Sequence, residues 1–166
     1  MRISTKNKSI ALVVIGLISL AISAPSAVSA GATQADVDYS TKVSTLSQDF
    51  IKTTTDWGVA ISSPPTFTIG SKWSKYKAGA TKSANSVLAS IAKLSALTPS
   101  AGFTKSDPLL KAACAAYKSA ITAVNNGVQK NDAKMISKSM SLVTKANTAL
   151  LAWSKAYQAD VAALNG

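Results

Sequence analysis

The sequence predicts an all-α protein: an antiparallel up-down-up-down four-helix bundle after a cleaved N-terminal signal peptide. Apolar residues recur at intervals of three and four in four successive segments after residue 30, which is the period of a helix face packed on a core. The last two connections, near residues 98–106 and 125–131, are short, so consecutive helices are expected to run antiparallel. Residues 31–166 have the length of one domain with its own core.

Residues 1–30 have the three parts of a secretory signal peptide. Arg2, Lys6 and Lys8 form a basic start, residues 10–22 form an apolar run of 13 residues, and residues 27–30 form a small-residue end. The run is shorter than the roughly 20 residues of a membrane-spanning helix. We predict Sec export without a lipid anchor, cleavage after Ala30 and a secreted or extracytoplasmic protein, with an uncleaved anchor as the alternative.

The first helix is predicted from an apolar face that ends near Trp57. Thr33 and Asp36 have the spacing of a capping box before it. The connection at residues 58–70 contains Pro64 and Pro65, which disfavour helix. It is expected to cross the end of the bundle, with Ile61, Phe67 or Ile69 packed against it. The face itself consists of Tyr39, Val43, Leu46, Phe50, Thr53 and Trp57.

The other three helices show the same period and carry recognisable end signals. The third opens with Asp107 as N-cap followed by Pro108 and closes near Gly127. The fourth begins near Asp132, and Asn147 interrupts its apolar face, where it either sets helix register or points outward. The faces are Trp73, Tyr76, Ala80, Ala84, Val87, Ile91 and Leu94; Leu110, Cys114, Tyr117, Ile121 and Val124; and Ile136, Met140, Val143, Leu150, Tyr157, Val161 and Leu164.

The composition after residue 30 argues against an enzyme. This part has 15 lysines against 7 aspartates, a difference of +8, and no His, Arg or Glu. The usual general bases and most transition-metal ligands are therefore missing, and neither a metal nor a cofactor is predicted. A lone cysteine, Cys114, excludes a disulfide within the chain and leaves open one between two chains, so monomer and dimer both remain possible.

An antiparallel bundle would bring several lysines and aromatic residues to one end. The start of the second helix, the end of the third and the start of the fourth would meet there, and Trp57, Trp73 and Tyr76 would form an aromatic rim. Clustered ammonium groups attract phosphate or carboxylate partners. A solvated lysine face, with the aromatic residues in the core, is the simpler interpretation. The predicted anion-binding residues are Lys72, Lys75, Lys77, Lys82, Lys130, Lys134 and Lys138.

The predicted function is non-enzymatic: an exported bundle that binds or coats an anionic envelope component, an acidic polymer or lipid head groups. Sequence-specific nucleic acid is not an expected partner, because no arginine is available for bidentate contacts to bases. The alternative is a chaperone-like protein that presents an apolar groove, near Met135, Leu151 and Trp153, to other exported chains. An enzyme built on Lys, Asp and Tyr alone is the third hypothesis.

Overall fold

A computed structural model describes residues 31–65 and 69–165, which form four α-helices, one short 3-10 helix and no β-strand. The all-α prediction and the number of helices are therefore confirmed. The predicted signal peptide, residues 1–30, and Phe67 lie outside the described residues. The elements are α1 (Gln34–Ser62), α2 (Gly70–Ser95), the 3-10 helix (Ala101–Phe103), α3 (Asp107–Lys130) and α4 (Ala133–Asn165).

The helix starts follow the predicted capping residues closely. Thr33 and Asp36 form the reciprocal capping box of α1. At α3 the N-cap is Ser106, so Asp107 is the first residue of the helix and not its cap. The Oδ1 atom of Asp132 accepts a 2.9 Å hydrogen bond from the backbone N–H of Met135 at the start of α4, as an N-cap residue does.

The connection between α1 and α2 is shorter than predicted. α1 continues beyond Trp57 to Ser62, and Ile61 is buried in the core. Pro64 disfavours helical geometry at the residue before it, and α1 ends one residue earlier than that, at Ser62. Ile69 does not pack against the bundle as expected, because 79% of its surface is exposed.

The end of α3 also differs from the prediction. Gly127 lies within the helix, which continues to Lys130 and closes at Asn131 in the left-handed region with φ 52°. Asparagine tolerates this conformation better than most residues, because its short polar side chain can bond locally. Gly127 instead allows the start of α4 to approach α3 closely: a Cβ placed there would lie 2.6 Å from Ile136 Cγ1.

The core lies between the four helices and is completed by the 3-10 helix. Consecutive helices pack against each other, α1 on α2, α2 on α3 and α3 on α4. Phe103 is fully buried between Tyr39 and Tyr157, with ring centroids 5.0 and 5.1 Å away. The hydroxyl groups of Ser40 and Tyr157 form a 2.6 Å hydrogen bond that links α1 to α4.

Most of the large apolar residues of the helices face this core, and four large apolar side chains in the described part of the chain are exposed: Val59, Ile69, Leu109 and Leu151. Each helix has an exposed side that carries lysine, serine or threonine. Among residues 31–65 and 69–165, no helix combines the length and the apolar character that a bilayer-spanning segment requires.

Candidate anion-binding surface at the lysine-rich pole

Three contacts between helices join the segments in which most of the predicted lysines lie. The Tyr76 hydroxyl donates a 3.0 Å hydrogen bond to the Ile61 carbonyl, which joins the end of α1 to the start of α2. Gln129 Nε2 donates to the Lys77 carbonyl at 3.0 Å, which joins α2 to the end of α3. The close approach of Gly127 to Ile136 joins α3 to the start of α4. We call this end the lysine-rich pole. The lysines assigned to it are Lys72, Lys75, Lys77, Lys82, Lys130, Lys134 and Lys138, of which Lys82 lies near the middle of α2.

The lysines of the pole present their charge to solvent. Lys77 is half-buried and the other six are exposed. Salt bridges within the described part of the chain join Lys52 to Asp56 at 2.8 Å, Lys93 to Asp49 at 3.8 Å and Lys111 to Asp107 at 2.7 Å. None of them includes a lysine of the pole, so its positive charge is not neutralised by a direct partner among these residues.

The helix dipoles add to the positive potential of the pole. In α2 and α4, which are described from their first residue, the first turn contains no acidic side chain. The N-cap of α2 is Ile69, which provides no side-chain hydrogen bond to the free N–H groups of that turn. Free N–H groups and the positive end of the dipole favour anions. Asp132 is the acidic residue beside Lys130 and Lys134, and its Oδ1 caps α4.

The predicted aromatic rim does not surround the pole. Trp57 is 1% exposed and Trp73 is 8% exposed, so both belong to the buried interior. Tyr76 is half-buried and stacks on Trp73, with centroids 5.1 Å apart and planes at 28°. The physical reason is that these residues continue the apolar faces of α1 and α2, and the neighbouring helix covers them. The core interpretation therefore fits Trp57 and Trp73.

Beside the lysines, the first three turns of α4 border an open depression of about 340 Å³. Met135 and Leu142 are half-buried there and provide apolar surface. Lys134 and Lys138 are exposed on the same depression, while Ser139 is buried at it. The depression is also bordered by Asp132, so it combines apolar side chains with two ammonium groups and one carboxylate.

One cavity among the described helices is too small for a substrate. This cavity, of about 20 Å³, lies between the helices and is bordered by apolar residues together with Cys114 and Ser47. Such a volume holds about one water molecule. Burial raises the pKa of the Cys114 thiol to about 11, which disfavours the nucleophilic thiolate. In residues 31–65 and 69–165, no three His, Cys, Asp or Glu side chains are grouped so that they could hold a metal ion.

Three buried aspartates hold the opposite end of the molecule together. Asp36 Oδ1 accepts a 3.0 Å hydrogen bond from Gly102 N–H, and its other oxygen accepts from Thr33. The bonds from Thr33 are the main reason that the pKa of Asp36 is well below its ordinary value. Asp160 accepts from the Ser106 backbone N–H at 3.0 Å, and Asp107 binds Lys111. The buried negative charges therefore lie far from the lysine-rich pole.

The role of Asp160 was not predicted, although the sequence contains an indication of it. Asp160 follows Trp153 and Tyr157 at the spacing of the apolar face of α4, so its side chain turns inward. A charged residue on an apolar face is seldom buried without a partner. In contrast, the sequence marks Asn147 as an interruption of the apolar face of α4. Its side chain accepts a hydrogen bond from the Tyr117 hydroxyl, which joins α3 to α4.

Comparison with protein-family models, with curated proteins and with solved structures finds no match for this chain. The surface chemistry of the lysine-rich pole is therefore the basis for assigning a function. That surface has exposed ammonium groups without acidic partners among the described residues, and it includes the start of α2, where the N-cap residue Ile69 provides no side-chain hydrogen bond.

Proposed function

We propose that this protein is an exported, non-enzymatic helical bundle that binds an anionic component of the cell envelope through the lysine-rich pole. The observation that carries the proposal is the grouping of seven lysines from α2, α3 and α4, none of which forms a salt bridge within the described residues. Phosphate or carboxylate groups are the chemical partners of such a surface.

Export and the up-down-up-down order of the helices are part of this proposal. The basic start, apolar run and small-residue end of residues 1–30 support export. Two pairs of contacts support the helix order. The Tyr76 and Gln129 hydrogen bonds link the helices at the lysine-rich pole, whereas the bonds of Asp36 and Asp160 link them at the other end.

The position of Lys72 and Lys75 favours binding over a merely solvated face. Lys72 lies in the first turn of α2, where a positive charge opposes the helix dipole and costs a few tenths of a kcal/mol to about 1 kcal/mol, and Lys75 lies in the next turn, where this effect is weaker. Lysines placed for helix stability or solubility alone would be expected at the other end of the helix. Binding of an anion offsets this cost, because the anion interacts with the ammonium groups and the free N–H groups together.

The test is binding of residues 31–166 to heparin, a soluble acidic polymer, over a series of salt concentrations. The variant K72Q/K75Q/K77Q is compared with K42Q/K118Q/K145Q, which removes the same charge from exposed lysines away from the start of α2. We expect binding that weakens with salt and a severalfold larger loss in the first variant. Equal losses in the two variants would mean that net charge, and not the pole, controls binding.

The alternative, a chaperone-like protein with an apolar groove, has less support. Trp153 is 2% exposed and belongs to the core. Leu151 is 55% exposed, but it lies more than four turns after Met135 along α4. The three residues on which the groove was predicted therefore do not make one continuous exposed surface.

A further inference from the structure

We infer that the anionic partner of the lysine-rich pole is the surface of a phospholipid bilayer, and that Ile69 and Val59 insert into it. The inference rests on the proposed function, since it names the partner of the same surface. It commits to lipid because the pole presents apolar side chains as well as charge. A soluble acidic polymer needs the lysines alone.

Large apolar side chains are exposed at the pole where a soluble surface would carry polar ones. Ile69, the residue before α2, is 79% exposed, and Val59, in the last turn of α1, is 60% exposed. The hydrogen bond from Tyr76 to the Ile61 carbonyl holds these two helix ends together. Single exposed apolar residues are ordinary, but here two of them accompany a group of lysines without acidic partners among the described residues.

Lysines and apolar side chains cooperate at an anionic membrane surface. Each lysine near the surface is attracted by the negative potential of the lipid head groups. The apolar side chains gain free energy by leaving water for the boundary between head groups and acyl chains. Ile69 is the N-cap residue of α2 and provides no side-chain hydrogen bond to the first turn, so its insertion would bring the positive end of the helix dipole to the depth of the phosphates.

The depression on α4 has the same mixed character. Met135 and Leu142 are apolar, and the volume of about 340 Å³ is open to solvent. Lys134 and Lys138 border it together with Asp132, so the ammonium groups outnumber the carboxylate by one. A phosphate beside the lysines and the start of an acyl chain beside Met135 would match its chemistry. An acidic polysaccharide would leave the apolar part of the depression unused.

The test measures flotation of residues 31–166 with vesicles of phosphatidylcholine alone or of phosphatidylcholine mixed with phosphatidylglycerol. This segment contains every described helix, and it omits residues 10–22, whose apolar run would bind lipid by itself. The variant V59S/I69S is compared with L109S/L151S, which removes two exposed apolar side chains away from the pole. All four positions are exposed, so the fold is expected to tolerate both variants.

We expect binding only to vesicles that contain phosphatidylglycerol. K72Q/K75Q/K77Q should weaken it on the order of a hundredfold, from the typical attraction of each lysine to an anionic surface. V59S/I69S should weaken it about tenfold while leaving heparin binding unchanged, and L109S/L151S should change neither. If the vesicles bind V59S/I69S as well as the unaltered protein, charge alone acts and the lipid inference is wrong, although the proposed function stands. If neither heparin nor any vesicle binds, both fail.

A direct measurement of insertion uses an environment-sensitive NBD label. The variants I69C/C114A and L151C/C114A place the only thiol at an exposed position of the pole or at an exposed position on α4 away from it. Insertion predicts a blue shift and stronger emission for the label at residue 69 when anionic vesicles are added, and no change at residue 151. An unchanged spectrum at residue 69 in vesicle-bound protein would overturn the inference.

Discussion

Gly127 of α3 lies so close to Ile136 of α4 that a Cβ at residue 127 would be 2.6 Å from Ile136 Cγ1 and 3.0 Å from its backbone nitrogen. Real side chains do not pack at the first of these distances, so one of the helices must shift if residue 127 is larger. The contact fixes how the end of α3 meets the start of α4, and these two segments carry Lys130, Lys134 and Lys138.

We therefore predict that G127A lowers the free energy of unfolding. Overpacking should cost about 1–3 kcal/mol. The higher helix propensity of alanine offsets about 1 kcal/mol of this loss. The matched variant is G79A, because Gly79 is exposed in α2 and a Cβ there meets no atom within 4 Å. G79A should stabilise the protein. Urea unfolding measures both, and a stabilising effect of G127A would contradict the close contact.

The buried carboxylate of Asp36 is expected to make the stability of the protein depend on pH. Its carboxylate is buried and accepts hydrogen bonds from Thr33 and Gly102, and the bonds from Thr33 are the main cause of its lowered pKa. A carboxyl whose pKa is lower in the folded state stabilises the protein above its ordinary pKa of about 4, and this contribution decreases as the pH falls toward the folded value.

The measurement is the free energy of unfolding in urea between about pH 6 and pH 2. The unaltered protein should lose stability as the pH falls below about 4. D36N should be less stable at neutral pH by about 1–3 kcal/mol and should lose less on acidification. D38N is the control, because Asp38 is exposed and its bond to Gln34 lies at the surface. If D36N and D38N have the same pH profile, Asp36 does not contribute in this way.

Helix type and several helix starts could be predicted from the sequence because they depend on local chemistry. Apolar residues spaced three and four apart indicate a helix, whereas a strand would show apolar residues at every second position. The capping box of Thr33 and Asp36 involves residues three apart, so it too can be recognised without knowledge of the tertiary structure. The lysines of the pole are predicted in the same way, from their positions relative to the predicted helix ends.

Features that depend on packing between distant residues were harder to predict from the sequence. A glycine such as Gly127 is typical of a helix end. It lies within α3 because Ile136 of α4 leaves no room for a side chain there. Trp57 and Trp73 lie at helix ends and were expected at a rim, whereas neighbouring helices bury them. Asp160 is buried because Ser106, 54 residues away in the chain, donates a hydrogen bond to it. No local pattern specifies which distant segment covers a given side chain.

Cys114 is predicted to be unreactive in the folded protein. It is 6% exposed, and burial raises the pKa of its thiol to about 11, so at pH 8 only about one thiol in a thousand is ionised. Its reaction with a thiol reagent such as DTNB should be on the order of a hundredfold slower than that of the exposed thiol in I69C/C114A, and fast in denaturant. A disulfide-linked dimer of the folded protein under oxidising conditions would contradict this prediction.

Substitution of Lys72 tests whether the start of α2 favours anion binding at the expense of folding stability. It occupies the third position of the helix, where a negative side chain interacts well with the dipole and a positive one does not. We expect K72E to raise the free energy of unfolding by about 0.3–1 kcal/mol and to weaken binding to anionic vesicles. K118E, at an exposed position in the middle of α3, should change stability little and binding less. If K72E is more stable and binds as well as the unaltered protein, Lys72 is not part of the binding surface.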